Sequence, residues 1–517
     1  MKKQILFILS ILLAGFCMSG HAEQRQTPSD KEILGTIKKA SEFMVETVSF
    51  NGGYLWNYAP DFSRAWGELE AKPTMIWIEP PGTPAMGHVF LDIYHATGDK
   101  YYMRAAEAAA RALIWGQLPC GGWSYMIDFA GEASLKDWYK KVYDGYSWPA
   151  YEHQYYYGNA TFDDDVTIMA AELLLRMYLE NYDPVYKPAL DKAIDFVLES
   201  QYPIGGWPQR YPLRYDHPEK DGSPDYTSFI TINDGIMTNN IEFLIKCYET
   251  LGEQRVKEPI ARAMGCVLLL QGGNPQAGWG LQHSPDIDYS PAHARPFEPA
   301  GYASQGTSAM IKNLMYFYRM TGNTKYLARI PDAFAWLESI AIPESEWQDF
   351  ALRYRPNSPG QILCPTFVEI GTNKGLYLHR TPGDIRTGHY WVDYEHSNLI
   401  EHYSSVRTID LGQLKSEYEE LLRMPVEEVT KGSPLKTVEL VSYPKYYSRW
   451  FAAEPTAENV RKIISALKDK PYWPGPLPGV SREYIGFGPD RLPDEVISSW
   501  SFIRNITTLI HYLEKQK

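Results

Sequence analysis

An all-α toroid of helical hairpins, with long loops gathered at one end and a C-terminal extension, is the fold this sequence predicts. Three observations point to it: apolar stripes at helical spacing, a Trp-bearing glycine turn that recurs after helical segments, and an acidic opening that recurs before them.

The stripes come first. Val166, Met169, Ala170, Leu173, Leu174 and Met177 fall on one helical face, as do Met237, Ile241, Leu244, Ile245 and Tyr248, and Leu190, Ile194, Val197 and Leu198. Apolar residues spaced three and four apart mark the buried side of an α-helix, so these positions belong to a core.

The turns come next. Gly121-Gly122-Trp123, Gly205-Gly206-Trp207 and Gly278-Trp279 each close a helical segment, with 84 and then 72 residues between the tryptophans. A period of that length suits a helical hairpin plus a long loop, and hairpins stacked side by side form a ring with their loops at one end. A second repeat runs alongside. Ala160-Thr161-Phe162-Asp163-Asp164-Asp165 opens one helix, and Ile230-Thr231-Ile232-Asn233-Asp234-Gly235 opens another 70 residues later.

Composition fits a large folded body. The 517 residues are 44% hydrophobic and 22% charged, enough for a sizeable core and too apolar for a disordered chain. Lys2 and Lys3 precede the apolar run Ile5–Phe16, and Gly20-His21-Ala22 offers small residues for cleavage before Glu23, so residues 1–22 read as a signal peptide. Phe16 directly before Cys17 disfavours a lipoprotein, and the protein is expected to be secreted or periplasmic. No later stretch reads as a membrane span. Cys120, Cys247, Cys266 and Cys364 lack metal-type spacing and read as buried thiols. Residues 23–424 are expected to form the toroid, and the proline-rich remainder, 425–517, an extension packed on it, with a last helix over Ser499–Leu513.

Removal of the leader, which carries two lysines and no acid, takes the formal net charge from −13 to −15. Nucleic acid is thereby disfavoured as a partner. An acidic ligand would need a local cationic site to overcome the general repulsion. Aspartate at a helix start ordinarily caps free N–H groups. Three consecutive acids exceed that need, and oxygen ligands of this kind suit a hard cation such as Ca²⁺. Arg295 lies in the proline-framed run His293–Pro299 beside Glu298; Lys374 and Arg380 lie in another loop segment. On chemistry alone, His283 is the first candidate for a base.

Together these segments resemble the family 10 pectate lyases, also called pectic acid lyases. The resemblance is carried in order by Asn159–Asp165, by Gln201–Pro203 with Gly205–Pro212, by Thr231–Asp234, by Trp279 with Gln282-His283, by Ala294–Pro299, and by Glu369–Asn373 with Arg380, over roughly residues 85–415. It implies an (α/α) toroid that cleaves a polygalacturonate-like acidic polysaccharide by Ca²⁺-assisted β-elimination. It implies Arg295 as the catalytic base, and Asp163, Asp164 and Asp234 as the metal and substrate-carboxylate region. Arg380 would grip a substrate carboxylate, and His283, Trp207, Arg210 and Lys374 would help to bind substrate. This chain has Asp163-Asp164-Asp165 where the family has Asp-Asn-Asp, and Asp234-Gly235 where it has two acids. Two other readings remain: a glycoside hydrolase using Asp163 or Asp165 with Glu298, and a non-catalytic glycan-binding protein.

Overall fold

In a computed structural model, the described residues are 27–145, 158–214, 226–286, 288–381, 389–397, 399–400, 405–436, 439–447, 452–477 and 493–516. The signal peptide expected over 1–22 lies outside them, as does the stretch 478–492.

The helical repeat holds. Helices α1 (Asp30–Phe43), α2 (Thr83–Thr97), α3 (Lys100–Gly116), α4 (Glu132–Gly145), α5 (Val166–Asn181), α6 (Lys187–Glu199), α7 (Ile236–Leu251), α8 (Lys257–Leu269), α9 (Ser304–Thr321) and α10 (Ile330–Ser339) are followed by α11 (Leu411–Arg423), α12 (Val426–Val429), α13 (Ala457–Ala466) and α14 (Ser499–Gln516). Hairpins α2/α3, α5/α6, α7/α8 and α9/α10 each pack internally. The first helix of each hairpin lies inside. Residues Val166–Met177 of α5 and Thr83–Ile93 of α2 are buried without interruption, whereas α3 and α6 bury one stripe. A helix buried all round has other helices on every side. The inner helices α14, α2, α5 and α7 touch in that order, and α9 follows against α8. One continuous apolar core runs through all of them, from Ile33 to Leu513. The fold is the expected all-α toroid.

The glycine-tryptophan turns join one hairpin to the next. Trp123, Trp207 and Trp279 are fully buried, and each indole N–H donates to a carbonyl of the preceding outer helix, those of Leu113, Val197 and Val267. Gly121 and Gly205 have φ of 100° and 108°, and a Cβ there would lie 2.2 and 2.3 Å from the carbonyl oxygens of Lys192 and Arg262 on the next outer helix. Only glycine permits both that backbone and that approach. After each turn a short strand pairs antiparallel with the strand that opens the inner helix of the hairpin just completed: Arg210–Tyr211 with Ala160–Thr161, and Gln282–His283 with Ile230–Thr231. Met126–Asp128 with Met75–Trp77 repeats the pattern one hairpin earlier. The three turns therefore lie at one end of the ring, where the inner helices begin.

The C-terminal region differs from the appended extension read in the sequence. Its last helix, α14, is an inner member of the ring, packed between α1 and α2. Before reaching it, the chain passes inside the ring at 443–447. Tyr447 stacks on His88 with centroids 3.6 Å apart, and its N–H donates to Asp92 at 3.0 Å. Arg176 of α5 donates to Asp92 at 2.6 Å and to His88 Nδ1 at 3.0 Å. The Arg176–Asp92 pair is buried, with side-chain exposures of 1% and 3%.

Removing one partner of a buried ion pair strands the other charge away from water. Arg176→Met should therefore cost about 3–5 kcal/mol of stability. Thermal denaturation should show a lowered midpoint, and Asp92→Asn added to Arg176→Met should recover part of the loss.

Candidate functional site

The acidic openings of α5 and α7 sit at the loop end of the ring. Each is a single tight turn in which two successive residues adopt left-handed backbone: Asp164 (φ 45°) with Asp165 (φ 61°), and Asp234 (φ 52°) with Gly235 (φ 73°). Non-glycine residues in this region carry about 1–3 kcal/mol of strain, which surrounding structure must hold in place. Here Asp163 N–H donates to Thr161 Oγ1 at 3.1 Å, and Thr167 Oγ1 donates to the Thr161 carbonyl at 2.6 Å. Neither turn supplies a side-chain cap to its helix, so capping does not account for these acids.

The turns instead bring carboxylates together. Asp163, Asp164 and Asp234 each place an oxygen within 4.8 Å of the other two. Asp163 is the buried member. Its Oδ2 accepts from Tyr125 Oη at 2.6 Å and from Arg295 Nη2 at 3.3 Å, while its Oδ1 is buried with no hydrogen-bond donor among the described residues. Burial among protein atoms and the neighbouring Asp164 and Asp163 charges push the Asp234 carboxyl well above the ordinary carboxylate range. The side chain itself remains open to solvent, so the repulsion it feels can be relieved by a cation from solution. Glu79, in the segment that opens α2, is also pushed well above its usual range, by burial and then by Asp164. Its oxygen accepts from Trp77 Nε1 at 2.9 Å.

Arg295 closes the other side. Its Nη1 donates to Glu298 at 3.2 Å, its Nη2 reaches Asp163, and its guanidinium stands 5.1 Å over the Tyr226 ring. Glu298 is fully buried and also accepts from Asn233 Nδ2 at 3.3 Å, which joins the Arg295 loop to the α7 opening. Arg380 is beside this group: its Nη1 donates to Tyr390 Oη at 3.4 Å, and the Tyr390 ring lies 5.5 Å from Phe297.

Three expected substrate contacts, Trp207, His283 and Arg210, are corrected. Trp207 is 0% exposed and spends its indole N–H on Val197, so it offers no face to a sugar. His283 is also 0% exposed. Its Nε2 accepts from Gly280 N–H at 3.0 Å and its Nδ1 donates to the Tyr289 carbonyl at 2.8 Å, which uses both nitrogens. Burial lowers its pKa to about 4, so it is a neutral structural histidine and no base. Arg210 is 1% exposed, bonded to Asn159 at 2.9 Å, with its guanidinium 5.6 Å from the centroid of the Tyr125 ring. It supports the tyrosine that holds Asp163. Lys374 lies before strand Gly375–Arg380, stacked on Tyr394 at 5.0 Å. The six-residue strand puts it about 20 Å from Arg380.

The family model for pectic acid lyases matches residues 132–396, just over half of the chain. The chain belongs to the pectic acid lyase family. It is accordingly a polysaccharide lyase, and the hydrolase and binding-protein readings give way. No curated protein matches this pectic acid lyase family member. A family 10 polysaccharide lyase from Cellvibrio cellulosa, solved as a mutant with trigalacturonic acid, is 17% identical over 66% of this chain and 99% of its own, with a TM-score of 0.42. An α-mannanase from Bacteroides thetaiotaomicron is 10% identical over 94% of this chain and 96% of its own, also at 0.42. Overlaps of that quality leave the fold to rest on this chain's own helix contacts.

Sequence reasoning missed Tyr125, Tyr226, Asn233 and Glu79. Glu79 had a signal: it stands just before α2, as Asp163 and Asp234 stand just before α5 and α7. Tyr125 follows the first tryptophan turn by two residues, with nothing in the sequence to tell it from the other tyrosines.

Asp165 faces away from the trio, towards Asn239. Burial raises its pKa to about 6, against about 3.9 in an unfolded chain. The folded protein then keeps a proton that the unfolded chain loses between about pH 4 and 6, so stability falls as pH rises through that window. In metal-free lyase, Asp165→Asn should raise the melting temperature at pH 7.5, and the difference should vanish as the pH is lowered to about 4.

Proposed function

We propose that this lyase is exported and cleaves a uronate-containing, pectate-like polysaccharide by β-elimination, with Ca²⁺ held by Asp163, Asp164 and Asp234 and Arg295 as base. The observation that carries the reading is the contact between Arg295 and Asp163 inside the three-carboxylate cluster. It sets the loop's cation against the acidic turns of two inner helices. The leader-like segment before Glu23 supports export. Among the described residues, no helix is long and apolar enough to cross a membrane.

The residues fit a hard cation. Asp163 Oδ1 is buried without a donor among the described residues, and Asp164 and Asp234 converge on it with oxygens, the ligand type Ca²⁺ takes. Bound there, Ca²⁺ would supply the positive charge that stabilises a substrate carboxylate as the neighbouring carbon loses its proton.

The remaining work falls to the protein's side chains. Arg380 binds the carboxylate of a uronate, as its planar fork suits. Arg295 accepts the C5 proton. The C5–H electron pair forms the C4=C5 double bond, and the C4–O glycosidic bond breaks with its pair on the departing oxygen. Glu298 and Tyr226 hold the Arg295 guanidinium in one place, so little ordering is left for the transition state. A guanidinium can act as base only after losing its own proton, which ordinarily requires a pH above about 12. Turnover should therefore rise steadily on the alkaline side.

Digestion of polygalacturonate followed by ultraviolet absorbance tests the reading, because elimination creates an absorbing unsaturated uronide and hydrolysis does not. Absorbance should grow, stop with chelator and resume with Ca²⁺. Arg295→Lys should lower turnover by orders of magnitude with little change in substrate binding, since the lost interaction belongs to the transition state. Full activity in that variant, or in chelated enzyme, would defeat the assignment. Calorimetric titration with Ca²⁺ should show Asp234→Asn binding at least tenfold more weakly, and Glu79→Gln by a smaller factor.

A further inference from the structure

The ring is not filled to its centre. Behind the acidic turns, α5, α7 and the 443–447 segment line a partly open cavity of about 440 Å³. That volume lies in the range of about 300–1,000 Å³ typical of small-molecule pockets. Its walls combine two kinds of surface. Tyr443, Tyr446, Met169 and Ile168 supply apolar and aromatic area, and Asp165, Glu172, Asn239, Glu242 and Lys246 supply polar groups.

Much of that polar set is already committed. Lys246 is ion-paired with Glu172, which also accepts from Tyr443 Oη at 3.4 Å. Asn239 donates to Asp165. Glu242 is half-buried on the wall beside Lys246 without accepting a hydrogen bond from any described residue, and burial raises its carboxyl above the ordinary range. The cavity thus presents three carboxylates against one ammonium, and the ammonium is spent on Glu172.

The charge sorts the ligands. A uronate, phosphate or sulfate would meet net repulsion and no spare cation. A bare metal ion would need converging ligands, and among the described residues the one converging carboxylate group is Asp163, Asp164 and Asp234. A neutral polyhydroxylated ring meets both kinds of wall. Its hydroxyls donate to the Glu242 carboxylate, which accepts from no described residue, and a charged acceptor strengthens such bonds. Its C–H face lies against tyrosine.

We infer that the cavity bounded by α5, α7 and Tyr443–Tyr447 is a binding pocket for a neutral monosaccharide unit, distinct from the acidic cluster at the ring's loop end. It adjoins that cluster through the chain itself, since Asp164 belongs to the cluster and Asp165 to the cavity. The inference does not depend on the β-elimination reading, because it concerns binding of an uncharged sugar and no bond cleavage.

Saturation-transfer NMR on the mature full-length protein, with free galactose, glucose, xylose, arabinose and rhamnose as probes and galacturonate as the charged control, tests it in chelator. At least one neutral sugar should give a signal and galacturonate none. Ile168→Trp, which fills the cavity, should abolish the signal. Glu242→Gln keeps the side chain's shape and should weaken neutral-sugar binding about tenfold while leaving cleavage of polygalacturonate unchanged; its melting temperature, equal to or above the parent's, shows that it folds. Absence of signal from every neutral sugar, equal signal from galacturonate, or undiminished signal in a folded Ile168→Trp protein would each overturn the assignment. Loss of polygalacturonate cleavage in chelator leaves these readouts untouched, so the two readings fail separately.

Discussion

Every inner helix begins at the same end of the ring because each hairpin passes to the next through a short antiparallel ladder. The strand after a tryptophan turn pairs with the strand before the inner helix of its own hairpin, as Arg210–Tyr211 does with Ala160–Thr161. That ladder places the opening turn of the helix over the ring rather than outside it. Glu79, Asp163 and Asp234 are far apart in sequence and occupy equivalent places, so the ladders alone bring them to one end. The buried tryptophans anchor the ladders. Their contribution to the site is geometric and needs no contact with substrate.

Crowding like charges in this way is costly. Two carboxyls in the group, Asp234 and Glu79, are held well above their ordinary range by burial and by Asp164. The strained backbone at Asp164, Asp165 and Asp234 adds to the expense. A chain of net charge −13 that concentrates acid around one arginine has built a place of strong negative potential. Such a place attracts cations.

The C-terminal region ties the two ends of the chain into this arrangement. Helix α14 completes the inner layer beside α2, and the segment before it enters the ring, where Tyr447 seats on His88 and Asp92. The interior is therefore part aromatic plug and part polar cavity. Proline-rich composition after Met424 reads as irregular structure, and much of it is. Composition does not reveal that an irregular segment runs through the centre of the molecule.

The sequence by itself determined the helices, their pairing into hairpins and the recurrence of the turns, because helical periodicity and glycine backbone requirements are local. It also determined the candidates Arg295, Asp163, Asp164 and Asp234, through spacing repeated between sister hairpins and through family resemblance. Tertiary structure decided which polar and aromatic residues face the site. His283, Trp207 and Arg210 stand in the same loops as the acids and bear equally suggestive side chains, yet all three are buried and bonded to backbone or neighbouring groups. Tyr125 carried no signal of its own, Glu79 only its place before α2, and both lie at the cluster. Two-residue strands alternate inward and outward at each position, so the direction of a side chain there depends on its partner strand. That partner lies tens of residues away, and only the closed ring brings it near.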